Sequence, residues 1–157
     1  MIDPLITNNV IDGCSFNPAP ASELAAANEI LALSDAGQFQ LVVPVAALAE
    51  ISNPATPAQV RRIAAKQQFS MPVGLTQNEQ RLFGEIHRIL TGNGNPDNMR
   101  RDAQNVFEAQ KYGGHFITND KRVLARAKEI EQLCGLCIVK PTEFLTTVRH
   151  MLADKKC

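Results

Sequence analysis

The sequence predicts an α/β domain with a mostly parallel central sheet, and three observations carry that reading. Short apolar runs, FQLVV (39–43), HFIT (115–118) and LCIV (136–139), are bounded by turn signals and alternate with longer stretches of helical period. Pro44 and Pro141 follow two of these runs, as expected where a helix's first turn tolerates a missing N–H. At 157 residues, 45% hydrophobic and 20% charged, the chain has one-domain length and a globular composition.

Taken in order, the first element is a weak strand over 5–11, LITNNVI, with apolar ends and polar Thr7, Asn8 and Asn9 inside, closing on Asp12-Gly13. NPAP (17–20) is loop. Ser22 reads as the N-cap of a helix through about Ser34, with Leu24, Ala27, Ile30 and Leu31 inward and Asp35-Ala36-Gly37 as its stop. After FQLVV, Pro44 opens a helix that reaches Glu50, and NPATP breaks it. Further helices are expected near 57–68 and 78–91, the second with Leu82, Phe83, Ile86, Ile89 and Leu90 on one face. Together with the loop TGNGNPDN they form a helical excursion over about 54–100 on one side of the sheet. A helix near 100–112 leads through Gly113-Gly114 into HFIT; a helix over 121–132 and the strand LCIV follow. Pro141 then starts a closing helix carrying Phe144, Leu145, Val148, Met151 and Leu152.

Composition narrows the classes. No apolar run approaches the roughly 20 residues of a membrane span, and MIDPLITNNV lacks the basic region of a secretory signal, so a cytoplasmic address is expected. Cys14, Cys134, Cys137 and Cys157 are then expected as reduced thiols. Cys134 and Cys137 form a Cys-x-x-Cys with no second ligand pair to complete a zinc site, and are read as packing residues. Net charge is zero, but the first 60 residues carry six acidic and no basic side chains. Such a split suits an acidic centre beside a surface that attracts polyanions, and it is equally the mark of uneven surface composition.

Helices that connect parallel strands run opposite to them, so strand ends and the first turns of helices share one edge of the sheet. That rule sorts the carboxylates. Asp12 and Asp120 end strands, Glu50 lies early in the helix after FQLVV, and Asp102 lies in the first turn of the helix that precedes HFIT. All four should face one rim, the rim where such sheets bind ligands. Crowded carboxylates repel and raise one another's pKa. A hard divalent cation with oxygen ligands, Mg²⁺ or Mn²⁺, resolves the conflict and can activate water against a phosphodiester. Each acid also has a structural reading: Asp102 as a charge at a helix N-terminus, Asp120 as a helix cap, Glu50 as a solvated side chain.

The VID of 10–12, Glu50 in VPVAALAEIS, Asp102 followed 18 positions later by Asp120 in GGHFITND, and the closing IVKPTEFL together resemble a PIN domain over residues 5 to 150. The resemblance implies a single nuclease domain over 1–157: a three-layer α/β/α sandwich whose acidic pocket binds Mg²⁺ or Mn²⁺ and hydrolyses RNA. It also implies Asp12, Glu50, Asp102 and Asp120 as catalytic and metal-binding residues. Small bacterial members are often toxins of VapBC-type toxin-antitoxin pairs, which implies a homodimer and an antitoxin protein as partner. Where the family often has Asp-Thr-Asn or Asp-Thr-Ser this chain has Asp12-Gly13-Cys14, and where many members carry a further acid after the equivalent of Asp120 it has Lys121, Arg122 and Val123.

Thr118 and Asn119 are expected to orient the site by hydrogen bonds. Arg61, Arg62, Lys66, Arg100, Arg101, Lys121, Arg122 and Arg126 are candidates for RNA phosphate, with Lys121 and Arg122 nearest Asp120. The leading expectation is a metal-dependent endoribonuclease. The alternatives are a PIN-like module that binds protein or RNA without catalysis, and the same chemistry turned on DNA.

Overall fold

A computed structural model describes residues 2–16, 20–42 and 74–157. The expected helices after Pro44 and near 57–68, with Glu50, Arg61, Arg62 and Lys66, lie outside the described residues. Within them, four short strands, β1 (Asn8–Ile11), β2 (Gln40–Val42), β3 (His115–Ile117) and β4 (Cys137–Val139), form an all-parallel sheet in the order β2-β1-β3-β4. Six α-helices accompany it: α1 (Ala21–Asp35), α2 (Gln77–Thr91), α3 (Arg100–Tyr112), α4 (Lys121–Leu124), α5 (Ala127–Cys134) and α6 (Pro141–Asp154). None of the described helices is long and apolar enough to cross a membrane.

Strand alternation divides the core into two layers, because successive side chains point to opposite faces. Val10, Val42, Phe116 and Ile138 pack with Ile86 and Leu90 of α2, Val106 and Phe107 of α3 and Ile130 of α5. Ile11, Leu41 and Ile117 pack on the other face with Ala27, Ile30 and Leu31 of α1 and Phe144, Leu145 and Val148 of α6. The result is helix, sheet, helix in three layers, as expected. Phe116 is 1% exposed at the centre of the sheet, a position where truncation to alanine costs about 3–5 kcal/mol.

Local chemistry sets the element ends. Thr76 and Glu79 cap α2 reciprocally, the Thr76 hydroxyl accepting the Glu79 N–H at 3.2 Å and the Glu79 carboxylate accepting the Thr76 N–H at 3.1 Å. Glu79 also pairs with Lys111 at 2.6 Å, tying α2 to α3. The Gly113-Gly114 pair is a close approach of backbones. A Cβ on Gly113 would stand 2.6 Å from the Asn8 carbonyl oxygen, and one on Gly114 would stand 2.9 Å from Ile2 Cγ2.

Three boundaries differ from expectation. The first strand begins at Asn8 rather than Leu5, because the preceding residues form a turn in which Asp3 Oδ1 accepts the Leu5 N–H at 2.8 Å. The polar residues of LITNNVI fasten that turn: the buried Asn9 amide donates to the carbonyls of Pro4 at 2.8 Å and Gln40 at 2.8 Å. Helix α1 starts at Ala21 with Pro20 at its N-cap and no capping side chain, so Ser22 lies inside the first turn. The expected helix over 121–132 is two helices, since Arg126 donates to the Val123 carbonyl in a tightened turn before α5 resumes.

Candidate functional site: an acidic rim bridged by an arginine

The sheet order places β1 beside β3, while the chain leaves β1 towards β2 on one side and β3 towards β4 on the other. Neighbouring strands whose connections diverge leave a crevice at their carboxyl ends. Asp12 follows β1 and Asp120 follows β3 at this crevice, with Ile11 and Ile117 directly paired. The ladder continues to the rim itself: the Asp12 N–H donates to the Ile117 carbonyl at 2.9 Å, and the Thr118 N–H to the Val139 carbonyl at 3.0 Å. Asp102 comes to the same rim from the first turn of α3.

Asp12 is 3% exposed. Its Oδ2 accepts hydrogen bonds from the Thr118 hydroxyl at 3.0 Å and the Cys14 thiol at 3.0 Å, whereas Oδ1 is buried with no partner among the described residues. Burial raises its pKa above the usual carboxylate value; the two hydrogen bonds oppose that shift, and the negative charges of Asp102 and Asp120 add to it. Thr118, itself fully buried, also accepts the Asp120 N–H at 3.1 Å, so one hydroxyl ties both acids to a fixed spacing. Thr118, expected to orient the site by hydrogen bonds, contacts both acids through its hydroxyl. The Asn119 amide nitrogen is buried with no partner among the described residues, and the Asn119 backbone reaches the Cys14 sulfur.

Cys14 was legible only as a departure from the family pattern. It sits in a single 3-10 turn, Gly13–Ser15, pinned to β3 by the Ser15 hydroxyl, which donates to the Ile117 carbonyl at 3.2 Å. Burial and the charge of Asp12 push the thiol's pKa up, and the thiol donates to the carboxylate. Asn105 was not anticipated at all. It lies three residues after Asp102 on α3, wholly buried, with neither amide atom partnered among the described residues, and only the i, i+3 spacing from Asp102 hints at a shared face.

Asp120 caps α4, accepting the Arg122 N–H at 2.9 Å, so its structural reading holds in part. Arg122 also folds its side chain back over the rim. One terminal nitrogen lies 3.1 Å from Asp120 Oδ2 and 3.2 Å from Asp102 Oδ2, and Nε lies 3.4 Å from Asp120 Oδ1. The two aspartate side chains are each 14% exposed and the Arg122 side chain 60%. Arg122 was expected to face RNA phosphate, and here its partners are the acids. Lys121 is exposed at the start of α4, as are Arg100 and Arg101 at the start of α3. Arg126 pairs with Glu129 at 3.0 Å and lies against Gly92, where a Cβ would come within 2.5 Å of its guanidinium.

Three of the four expected acids thus converge from distant parts of the chain, and the fourth, Glu50, lies outside the described residues. Among the described residues no three His, Cys, Asp or Glu side chains approach closely enough to hold an ion between them. The Arg122 guanidinium bridges two of the acids. By chemistry the acids offer carboxylate oxygen, the donor type of a hard divalent cation, and Asp12 Oδ1 is a buried acceptor with no partner among the described residues. All four cysteines are free thiols, and none of them supplies a soft ligand set. Compared with known proteins, the chain matches no family model and no curated protein sequence.

Proposed function

We propose that the chain is a metal-dependent endoribonuclease that hydrolyses RNA phosphodiester bonds at the acidic rim, with Asp12, Asp102 and Asp120, together with Glu50, as the residues that hold Mg²⁺ or Mn²⁺. The observation that carries this reading is the state of Asp12: a carboxylate 3% exposed, one oxygen without a partner among the described residues, in the field of two further acids. A buried anion without a compensating cation is costly, and the resemblance to PIN domains assigns these same residues to an ion. When bound, such an ion activates water and neutralises charge on the phosphodiester. The chain's own contribution is positioning: Thr118 and Cys14 fix the Asp12 carboxylate, and the Asp120 N–H bound to Thr118 fixes the loop that follows β3. Lys121 and the arginines at the start of α3 draw the RNA backbone to the rim. The same reading carries a cytoplasmic protein, a homodimer and an antitoxin partner of the VapBC type.

The test is cleavage of matched RNA and DNA oligonucleotides by purified protein in Mg²⁺, in Mn²⁺ and in EDTA. RNA is cut only with the ion present, and Asp120→Asn lowers the rate by about 100-fold or more. Intact RNA under every condition, or full activity in the variant, overturns the proposal.

One observation favours a second reading, a PIN-like module that binds protein or RNA without catalysis: Arg122 stands where many members have a further acid, and it already neutralises Asp102 and Asp120. Calorimetric titration with Mn²⁺ separates the two, because the module takes up no ion at the rim.

A further inference from the structure

The bridge at Arg122 has the features of a removable counter-ion. It spans acids that are 18 residues apart in the chain, it is carried on a four-residue helix at the rim, and its own side chain is 60% exposed while the aspartate side chains it joins are 14% exposed. An ion pair with one partner so exposed contributes little to stability, so little is lost when it opens. The guanidinium also has somewhere to go. Beyond the acids it forms one wall of a cleft of about 330 Å³ lined by Leu90, Asn95, Asn98, Met99 and Arg126, a surface without a carboxylate among its described residues.

Arg122 occupies acceptors on two of the three acids at the rim. One terminal nitrogen contacts Oδ2 of both Asp102 and Asp120 and Nε lies near Asp120 Oδ1, while Asp12 Oδ1 has no partner among the described residues. Guanidinium and a divalent ion are like charges, so each weakens the hold of the other on the same two carboxylates.

We propose that Arg122 is a tethered cation that holds Asp102 and Asp120 together in the ion-free protein and is displaced by Mg²⁺ or Mn²⁺, so that ion uptake frees the guanidinium towards the cleft and the phosphate backbone of RNA. This rests on the reading of the rim as an ion site. It adds that the affinity of the site is set by competition with a residue of the same chain, a property absent from the acids themselves.

The experiment is calorimetric titration of the full-length protein with MnCl₂, comparing wild type, Arg122→Gln and Arg122→Lys, with thermal unfolding in EDTA as a second readout. Two exposed ion pairs are lost in the glutamine variant, so its Mn²⁺ affinity rises by about tenfold, and its unfolding temperature in EDTA falls while that in excess Mn²⁺ does not. Lysine keeps the charge but cannot bridge two carboxylates with a planar fork, so Arg122→Lys gains about threefold, between the other two. A lysine variant no tighter than wild type assigns the effect to net charge and overturns the competition. Equal affinities in all three proteins, with RNA cleavage retained, overturn this inference and leave the nuclease reading standing. No heat of Mn²⁺ binding in any of them, and no change in unfolding temperature with the ion, overturns both.

Discussion

Asp12→Asn separates what the fold prefers from what the site requires. The carboxylate is 3% exposed, with two hydrogen bonds on Oδ2 and none on Oδ1 among the described residues. Asparagine has the same shape, and turning its carbonyl oxygen to the Oδ2 position keeps both donors, Thr118 and Cys14, satisfied. Its amide nitrogen then replaces an unpartnered acceptor by an unpartnered donor, a roughly neutral exchange. What changes is charge. Weakening two charge-assisted bonds costs on the order of 1 kcal/mol each, whereas relieving a buried anion beside two other acids returns several kcal/mol. The net expectation is a gain of about 1 kcal/mol, or roughly 2–4 °C in unfolding temperature for a chain of this length. The assay is thermal unfolding in EDTA at pH 7.5 alongside Mn²⁺ titration of the same samples. The variant should unfold higher in EDTA, show no stabilisation by Mn²⁺ and lose RNA cleavage by about 100-fold or more. An unfolding temperature several degrees below wild type in EDTA would mean that Asp12 is a structural anchor, and the argument from its crowded charge would fail.

Thr118→Val removes the hydroxyl shared by Asp12 and Asp120; it should weaken Mn²⁺ binding by about 10- to 100-fold and destabilise by about 1–3 kcal/mol, measured by titration and by urea unfolding. Gly113→Ala drives a methyl to within 2.6 Å of the Asn8 carbonyl oxygen and should cost about 2–3 kcal/mol in the same unfolding assay; an unchanged midpoint would show that β1 and the end of α3 can separate freely. His115 is 4% exposed with Nδ1 unpartnered and its ring edge-on to Phe144 at 5.6 Å, and burial holds its pKa below the usual histidine value against the opposing charge of Asp3. A depressed folded pKa means that the stability contributed is complete above about pH 6.5, the unfolded value, and is lost as pH falls through the folded value. Urea unfolding at pH 7.5 and 5 should therefore show a smaller drop for His115→Phe than for wild type, and an equal drop would remove His115 as the cause.

The elements that the sequence made legible are those whose periodicity was unbroken. The helix near 100–112 and the strand HFIT stand where their patterns put them, and the alternation of Val10 with Ile11 and Phe116 with Ile117 onto opposite layers follows from the two-residue repeat of a strand. The departures came from contacts that no local pattern encodes. Nothing between Lys121 and Cys134 is glycine or proline, so the break at Ala125–Arg126 has no signal in the residues themselves. Ser22 looked like a cap by residue type, yet the helix starts one residue before it. At the site, edge logic brought Asp12, Asp102 and Asp120 to one rim because the direction of each helix follows from a parallel sheet. It could not show that Arg122 would turn back onto two of them, since an exposed arginine next to an aspartate has many rotamers and only the fold chooses among them.

The account stands on the claim that acids from separate segments meet to hold a divalent ion, and a crystal structure of the protein soaked in MnCl₂ tests it most directly through the anomalous signal of manganese. A peak bonded to oxygens of Asp12, Asp102 and Asp120, with the Arg122 guanidinium withdrawn, is the predicted result. Bridging Arg122 retained, with no manganese at the rim in crystals that bind it elsewhere or not at all, would contradict it.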